Sequence, residues 1–260
     1  MNIVVCIKQV PNTNEVKLDP VTGTLIRDGV PSIINPDDKA GLEAALRLND
    51  QFGAHVTVIT MGPPQADTAL REALAMGADE AVLITDRAFG GADTLATSTT
   101  IAAGIKKLPY DLIITGRQAI DGDTAQVGPQ IAEHLNIPNV SYAEDIKVEG
   151  DTVIVKRQYE DRYHVVKVKM PCLITALSEL NQPRYMTPGG IFDAYREKKV
   201  TVWTVNDIEV DRDRIGLKGS PTRVFKSFPK SLKAAGTVVQ LDPEDSAEYM
   251  LEKLREKFII

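Results

Sequence analysis

Residues 117–128, RQAIDGDTAQVG, place two carboxylates, a hydroxyl and two glycines between an apolar run, DLIIT (111–115), and a helix-like pattern. A plain connector between a strand and a helix needs only a few turn residues. This one offers small side chains and free backbone N–H groups where a strand ends and a helix begins, which is where phosphate binds. Asp121 and Asp123 would repel a phosphate. They suit ribose hydroxyls or the capping of backbone N–H groups. Thr124 and the N–H groups of Ala125, Gln126, Val127 and Gly128 are the phosphate donors. Pro129 is tolerated in the first helical turn.

Three other apolar runs end in comparable chemistry. The first, NIVVCIKQV (2–10), leads out through Cys6, Ile7 and Lys8. Lys8 reads equally as a phosphate partner or as a structural, ion-paired lysine. HVTVITMG (55–62) ends in TMGPPQ, where Gly62 permits close approach of a ligand and Pro63–Pro64 stiffen the start of a helix. EAVLITD (80–86) ends in DRAFGGADTLAT (86–97). There Gly90 and Gly91 free the backbone, Asp93 or Thr94 can cap the next helix, and Thr97 lies one turn further on. Any one such loop is ordinarily a tight turn. Several at consecutive strand ends point to one shared ligand site. Neither a P-loop nor the dinucleotide fingerprint after the first strand is present. GxSxG, HExxH and a cysteine nucleophile beside a base are also missing. Any redox or transfer chemistry therefore belongs to a bound cofactor. Arg184 and Tyr185, beside Pro183, either recognise a partner or close a turn.

The elements that must position these loops alternate strand and helix over the first 140 residues. In NPDDKAGLEAALRLNDQFG (35–53), Asn35 suits the cap and Pro36 the first helical position, and Asp37 and Asp38 favour the positive end of the helix dipole. Gly53 ends this helix. Short links between strands and helices predict a doubly wound, mostly parallel α/β sheet. A β-hairpin is expected over 16–29. From about residue 145 to 177 the period shifts to two and predicts an antiparallel addition, with MPCLITAL (170–177) returning to the sheet. From 181 the chain is irregular. The segment 200–260 is too polar for a core of its own and reads as an arm on a partner subunit or as a mobile tail.

Composition narrows the function classes. A net charge of -6 argues against nucleic acid as the main partner. The two cysteines, Cys6 and Cys172, fit neither a zinc spacing nor a disulfide framework and suit a reducing cytoplasm. The three histidines are far apart, so no metal site is expected. No apolar run approaches membrane-spanning length, and the N-terminus lacks the features of a signal peptide.

The stretches VVCIKQVPNT, INPDD, ALAMGADEAVLI, GRQAIDGDTAQVG and NQPRY, spread over nearly the whole chain, resemble the β subunit of electron transfer flavoprotein. The resemblance is to the electron-bifurcating type, through DGDTAQVGP and the small Gly90–Gly91–Ala92. It implies an adenine-nucleotide α-hydrolase-like fold, with a nucleotide/FAD-binding domain over 1–190. A partner-docking loop and a C-terminal arm on the α subunit would occupy 191–260. The cofactor implied is FAD, with AMP as the alternative in non-bifurcating members. On the matching positions the resemblance assigns cofactor contacts to Cys6, to Asn35 through Asp38, and to Met61 and Gly62. It adds Gly91, Ala92, Asp93, Thr94 and Thr97, and the loop Gly116, Arg117, Gln118, Asp121, Gly122, Asp123, Thr124, Ala125, Gln126 and Val127.

The implied chemistry is hydride transfer from NADH to this FAD. Electrons would then divide between ferredoxin or flavodoxin and, through the α-subunit FAD, a flavin-containing dehydrogenase. The loop after NQPRY would dock that dehydrogenase. Pro188 stands there where many members have an anchoring leucine. Two other readings remain open at this point: a universal-stress-type ATP-binding module, which would leave 145–260 unexplained, and a purely structural subunit with an empty pocket.

Overall fold

The structure, a computed structural model, describes residues 1–12, 31–223, 225 and 236–260. The hairpin expected over 16–29 lies outside them. By packing the chain forms two units, Met1–Phe225 and Lys226–Ile260.

The first unit follows the expected alternation. In chain order it contains β1 (Asn2–Cys6), β2 (Gln9–Pro11), β3 (Ser32–Ile34), α1 (Pro36–Phe52), β4 (His55–Met61), α2 (Asp67–Met76), β5 (Glu80–Ile84) and α3 (Thr94–Ile105). Then come β6 (Leu112–Gly116), α4 (Val127–Leu135), β7 (Asn139–Glu149), β8 (Thr152–Gln158), β9 (Tyr163–Lys169), β10 (Cys172–Ala176), α5 (Pro188–Arg196) and β11 (Val200–Trp203). The second unit contains α6 (Pro243–Glu256).

Nine strands form one sheet in the order β11-β5-β4-β1-β6-β10-β7-β8-β9. Every pair is parallel except β7–β8 and β8–β9, which form the antiparallel addition. A small antiparallel pair, β2–β3, stands apart. The parallel strands are apolar on both faces because helices cover both. Ile3 and Val5 of β1 join a core with residues of α1 and α2. Val4 and Cys6 point the other way, into a core with α3 and α4.

Three features were not expected. β7 begins at Asn139, ahead of the expected 145, and its first residues pair in parallel with β10. The register shifts near Tyr142, whose φ of 62° marks a bulge. β11 adds a parallel edge to β5, and Ile208 and Ile215 are buried in the α3–α4 core. Residues 200–220 therefore pack with the sheet, although this stretch read as part of a polar arm. Its apolar signal is only VTVW and two isolated isoleucines among many charges.

The topology sets the place of a ligand. β1 leads into α1 on one face, and its neighbour β6 leads into α4 on the other. Adjacent strands whose exits diverge open a crevice at their carboxyl ends, the usual ligand position of such sheets.

Candidate functional site at the strand exits

The crevice is held open by carboxylates that bind backbone donors. Asp38, in the first turn of α1, accepts the N–H of Lys8 at 2.8 Å and that of Gly116 at 2.9 Å. One side chain thus joins the exits of β1 and β6. Burial pushes the Asp38 pKa up to about 7, against the pull of Asn35 and of the Lys8 and Gly116 amides. Gly116 is required here, since a Cβ would lie 2.1 Å from Asp38 Oδ1. Asp37 accepts the N–H of Ser178 at 3.0 Å, which brings in the exit of β10. Its pKa is raised by burial against the opposing Arg117 charge. Arg117 Nε lies 3.4 Å from Asp37 Oδ2, yet both atoms are buried without a hydrogen bond.

Asn35 occupies the cap position of α1 but does not cap it. The fully buried side chain turns across the crevice instead. It donates to Gln118 O at 2.8 Å and accepts the N–H of Ile120 at 3.0 Å. The expectation of a capping role is therefore corrected: the side chain fixes the β6 loop by bonding two of its backbone groups.

The loop after β6 is tightly folded. Asp121 pairs with Lys8 at 2.7 Å, so Lys8 takes its structural alternative. Asp123 accepts from Gln118 Nε2 at 2.9 Å. Asp123 and Ala125 both adopt positive φ, 49° and 52°. Ala125 is followed by Gln126 in the right-handed region. Such alternation turns successive N–H groups to one side. Gly122, Asp123 and Thr124 are exposed, and Pro129 falls in the first turn of α4.

The loop after β5 reaches the same place. Asp93 caps α3, accepting the N–H groups of Leu95 and Ala96. Thr94 then donates its hydroxyl to Gln126 Oε1 at 2.8 Å. That bond joins two loops whose strands are separated in the sheet by β4 and β1. Ala92 and Thr97 are half-buried beside it, and Gly91 is exposed with φ 71°. Met61 and Gly62 lie at the β4 exit, where Gln9 donates to Gln65 O. Cys6 lies between β4 and β6 at the end of β1, and burial pushes its thiol pKa up, so it stays protonated.

Four helices start at this edge of the sheet, and they differ. α1 has Asp37 and Asp38 in its first turn, α2 has Asp67, and α3 is capped by the Asp93 carboxylate. Only α4, among these four, has neither an acid in its first turn nor a side-chain cap.

Residues 22–208 match the electron transfer flavoprotein domain. The chain belongs to the electron transfer flavoprotein family. It is of the β-subunit type: it is 64% identical over 260 residues to the electron transfer flavoprotein subunit beta of Clostridium acetobutylicum, covering 100% of both chains. It is 58% identical, again over 100% of both chains, to the caffeyl-CoA reductase-Etf complex subunit CarD of Acetobacterium woodii. It is 49% identical to the acryloyl-CoA reductase electron transfer subunit gamma of Anaerotignum propionicum, with 100% of both chains covered.

In this electron transfer flavoprotein chain, sequence reasoning missed Ser178, Ser220 and Thr222, each of which bonds an acid of the site. The GLKGSPT stretch (216–222) carries a turn signal that marks two of them. The partner-facing candidates are split by the structure. Arg184 is structural, bound to Glu43 at 2.8 Å and to Asp50 at 2.7 Å. Tyr185 is 95% exposed. Pro188 is the first residue of α5, and Thr187 caps it by accepting the Gly190 N–H. Among the described residues no helix is long and apolar enough to cross a membrane.

Proposed function

We propose that this chain is the β subunit of an electron-bifurcating electron transfer flavoprotein and holds FAD in the crevice between the exits of β1 and β6. The observation that carries the proposal is the α4 N-terminus. It is free of acids and of a cap, and it lies under a loop whose own acids are tied to Lys8 and Gln118. Backbone N–H groups of residues 124–128 take the pyrophosphate there. Thr94 and Gln126, already in contact, bound the adjoining half of the site. Arg117 Nε, buried without a hydrogen bond, is a further donor at the β6 exit.

When bound, FAD supplies hydride acceptance from NADH and one-electron transfer, chemistry that no side chain of this chain provides. The protein's own part is to fix the flavin's position and exclude water from its buried side. Electrons would then pass to a low-potential carrier such as ferredoxin or flavodoxin and, through the α subunit, to a flavin-containing dehydrogenase. Two relatives are named as subunits of acyl-CoA-type reductase systems, which supports a reductase of that class as the partner. The exposed Tyr185, Met186, Phe192 and Tyr195 supply its docking face. Met250, Leu251 and Leu254, exposed on α6, supply a face for the α subunit.

The test is the FAD and AMP content of the heterodimer, by extraction and chromatography. Two FAD and no AMP are expected. One FAD and one AMP would make this chain a scaffold for a simple carrier. A folded Thr124→Trp variant is expected to lose nucleotide, and full occupancy in it would refute the assigned loop.

A further inference from the structure

The segment from Trp203 to Thr222 leaves the edge of the sheet and returns to one loop, the exit of β5. Thr85 donates its N–H to Trp203 O at 2.9 Å, and Val205 donates its N–H to Asp86 Oδ2 at 3.3 Å. Leu217 donates its N–H to Gly90 O at 3.0 Å. A Cβ on Gly216, whose φ is 56°, would lie 2.0 Å from Ala88 O, so the two backbones touch. The contacts converge on Asp93. Its N–H donates to Ser220 Oγ at 2.8 Å, and that buried hydroxyl donates in turn to Gly216 O at 2.7 Å. Asp93 Oδ2 accepts the N–H and the hydroxyl of Thr222 at 3.0 and 2.8 Å. Asp93 Oδ1 accepts the two amides that begin α3.

The N–H and carboxylate of Asp93 thus make five hydrogen bonds, and Thr94 beside it holds Gln126 of the β6 loop. A carboxylate with one oxygen on a helix start and the other on a distant threonine fixes the direction of that helix start. Removing Thr222 Oγ1 leaves Asp93 Oδ2 with a single donor from the strap, the Thr222 N–H.

We infer that the strap Trp203–Thr222 is a positioning element of the nucleotide site: Ser220 and Thr222 hold Asp93, and through Asp93 and Thr94 they set the gap between the β5 and β6 loops. Thr222 and Ser220 act through Asp93 and do not themselves touch nucleotide. The inference rests on the crevice reading above.

The test compares wild type, Thr222→Val and Thr222→Ser as the full heterodimer with the α subunit. Two quantities are read: the rate of adenine-nucleotide loss into buffer containing a nucleotide-binding resin, and hydrogen exchange of the Ala88–Thr97 peptide. Valine keeps the backbone N–H but not the hydroxyl bond to a charged acceptor, a loss worth about tenfold in equilibrium terms. Thr222→Val is therefore expected to lose nucleotide about tenfold faster and to exchange faster over Ala88–Thr97. Thr222→Ser is expected to restore both, because it restores the hydroxyl. If Thr222→Val retains nucleotide like wild type, or if serine does not rescue, the strap has no positioning role. Wild type that carries no adenine nucleotide in this chain would overturn the crevice reading itself, and the inference with it. Thr222→Val that fails to assemble is replaced by Ser220→Ala, which cuts the second tether and is read in the same way.

Discussion

Replacing Asp38 by Asn tests how the crevice is held. In the unfolded chain this carboxyl titrates near 4, whereas burial pushes it up to about 7 in the fold. The folded chain therefore binds the proton more tightly than the unfolded chain. A carboxyl of this kind contributes stability that is fully present below the unfolded pKa and is lost as pH rises through about 7. Three units correspond to about 4 kcal/mol in all, of which about 3 kcal/mol falls between pH 5 and pH 8.

Asn cannot titrate, and it accepts through one oxygen only. Its amide would face either the Lys8 or the Gly116 N–H, donor against donor, a cost of about 1–3 kcal/mol that does not vary with pH. Urea denaturation of both proteins at pH 5 and pH 8, at one protein concentration, separates the two effects. The stability of wild type minus that of Asp38→Asn is expected to fall by about 3 kcal/mol from pH 5 to pH 8. The histidines are common to both proteins, and Asp37, coupled to Asp38, is part of the linkage that the comparison reads. A difference that stays constant within about 1 kcal/mol would refute the buried, proton-linked role of Asp38.

Three further substitutions probe the frame and the docking face. Gly116→Ala is expected to destabilise by about 1–3 kcal/mol in thermal unfolding, since its Cβ would displace the Asp38 carboxylate. Arg184→Ala is expected to cost about 2 kcal/mol, because buried Glu43 loses the Arg184 guanidinium and keeps only the Arg47 side chain and the residue-184 N–H among the described residues. Tyr185→Ala, at a fully projecting ring, is expected to stay within about 0.5 kcal/mol of wild type while slowing electron delivery to the dehydrogenase.

The strand and helix order was legible because buried parallel strands read as continuous apolar runs and each helix carries its own stop. The Asn49 carbonyl receives the Gly53 N–H with φ 64°, as the sequence signal requires. The loops at the strand exits were legible for the same reason: once the fold class is known, every exit lies at one edge. Asn35 was misread because capping rules are local, while its true partners, Gln118 and Ile120, are more than eighty positions away. The strap was missed because its bonds to Asp93 also span more than a hundred positions, and its apolar anchors are isolated among charges. Local rules see neither kind of contact.

An edge crowded with carboxylates is an unexpected place for a phosphate, and the bonding pattern resolves the conflict. Asp38, Asp37 and Asp93 each bind backbone N–H groups, and Asp121 is neutralised by Lys8. For Asp93, burial pulls the pKa up, but the Ala96, Thr222 and Leu95 donors outweigh it and hold the carboxyl below its usual range. These acids are the frame of the crevice: Asp93 occupies first-turn donors of α3, and Asp37 and Asp38 place carboxylates in the first turn of α1, which leaves α4 and the turn before it as the start best suited to an anion. Of the cations near the crevice, Lys8 is engaged by Asp121, while Arg117 stands beside Asp37 with its Nε unbonded among the described residues. In the proposed reading, an anion here would be held mainly by N–H dipoles in a fixed geometry. Such binding would depend on how well the loop is positioned more than on ionic strength, which is why residues as remote in sequence as Asp38 and Thr222 would bear on it.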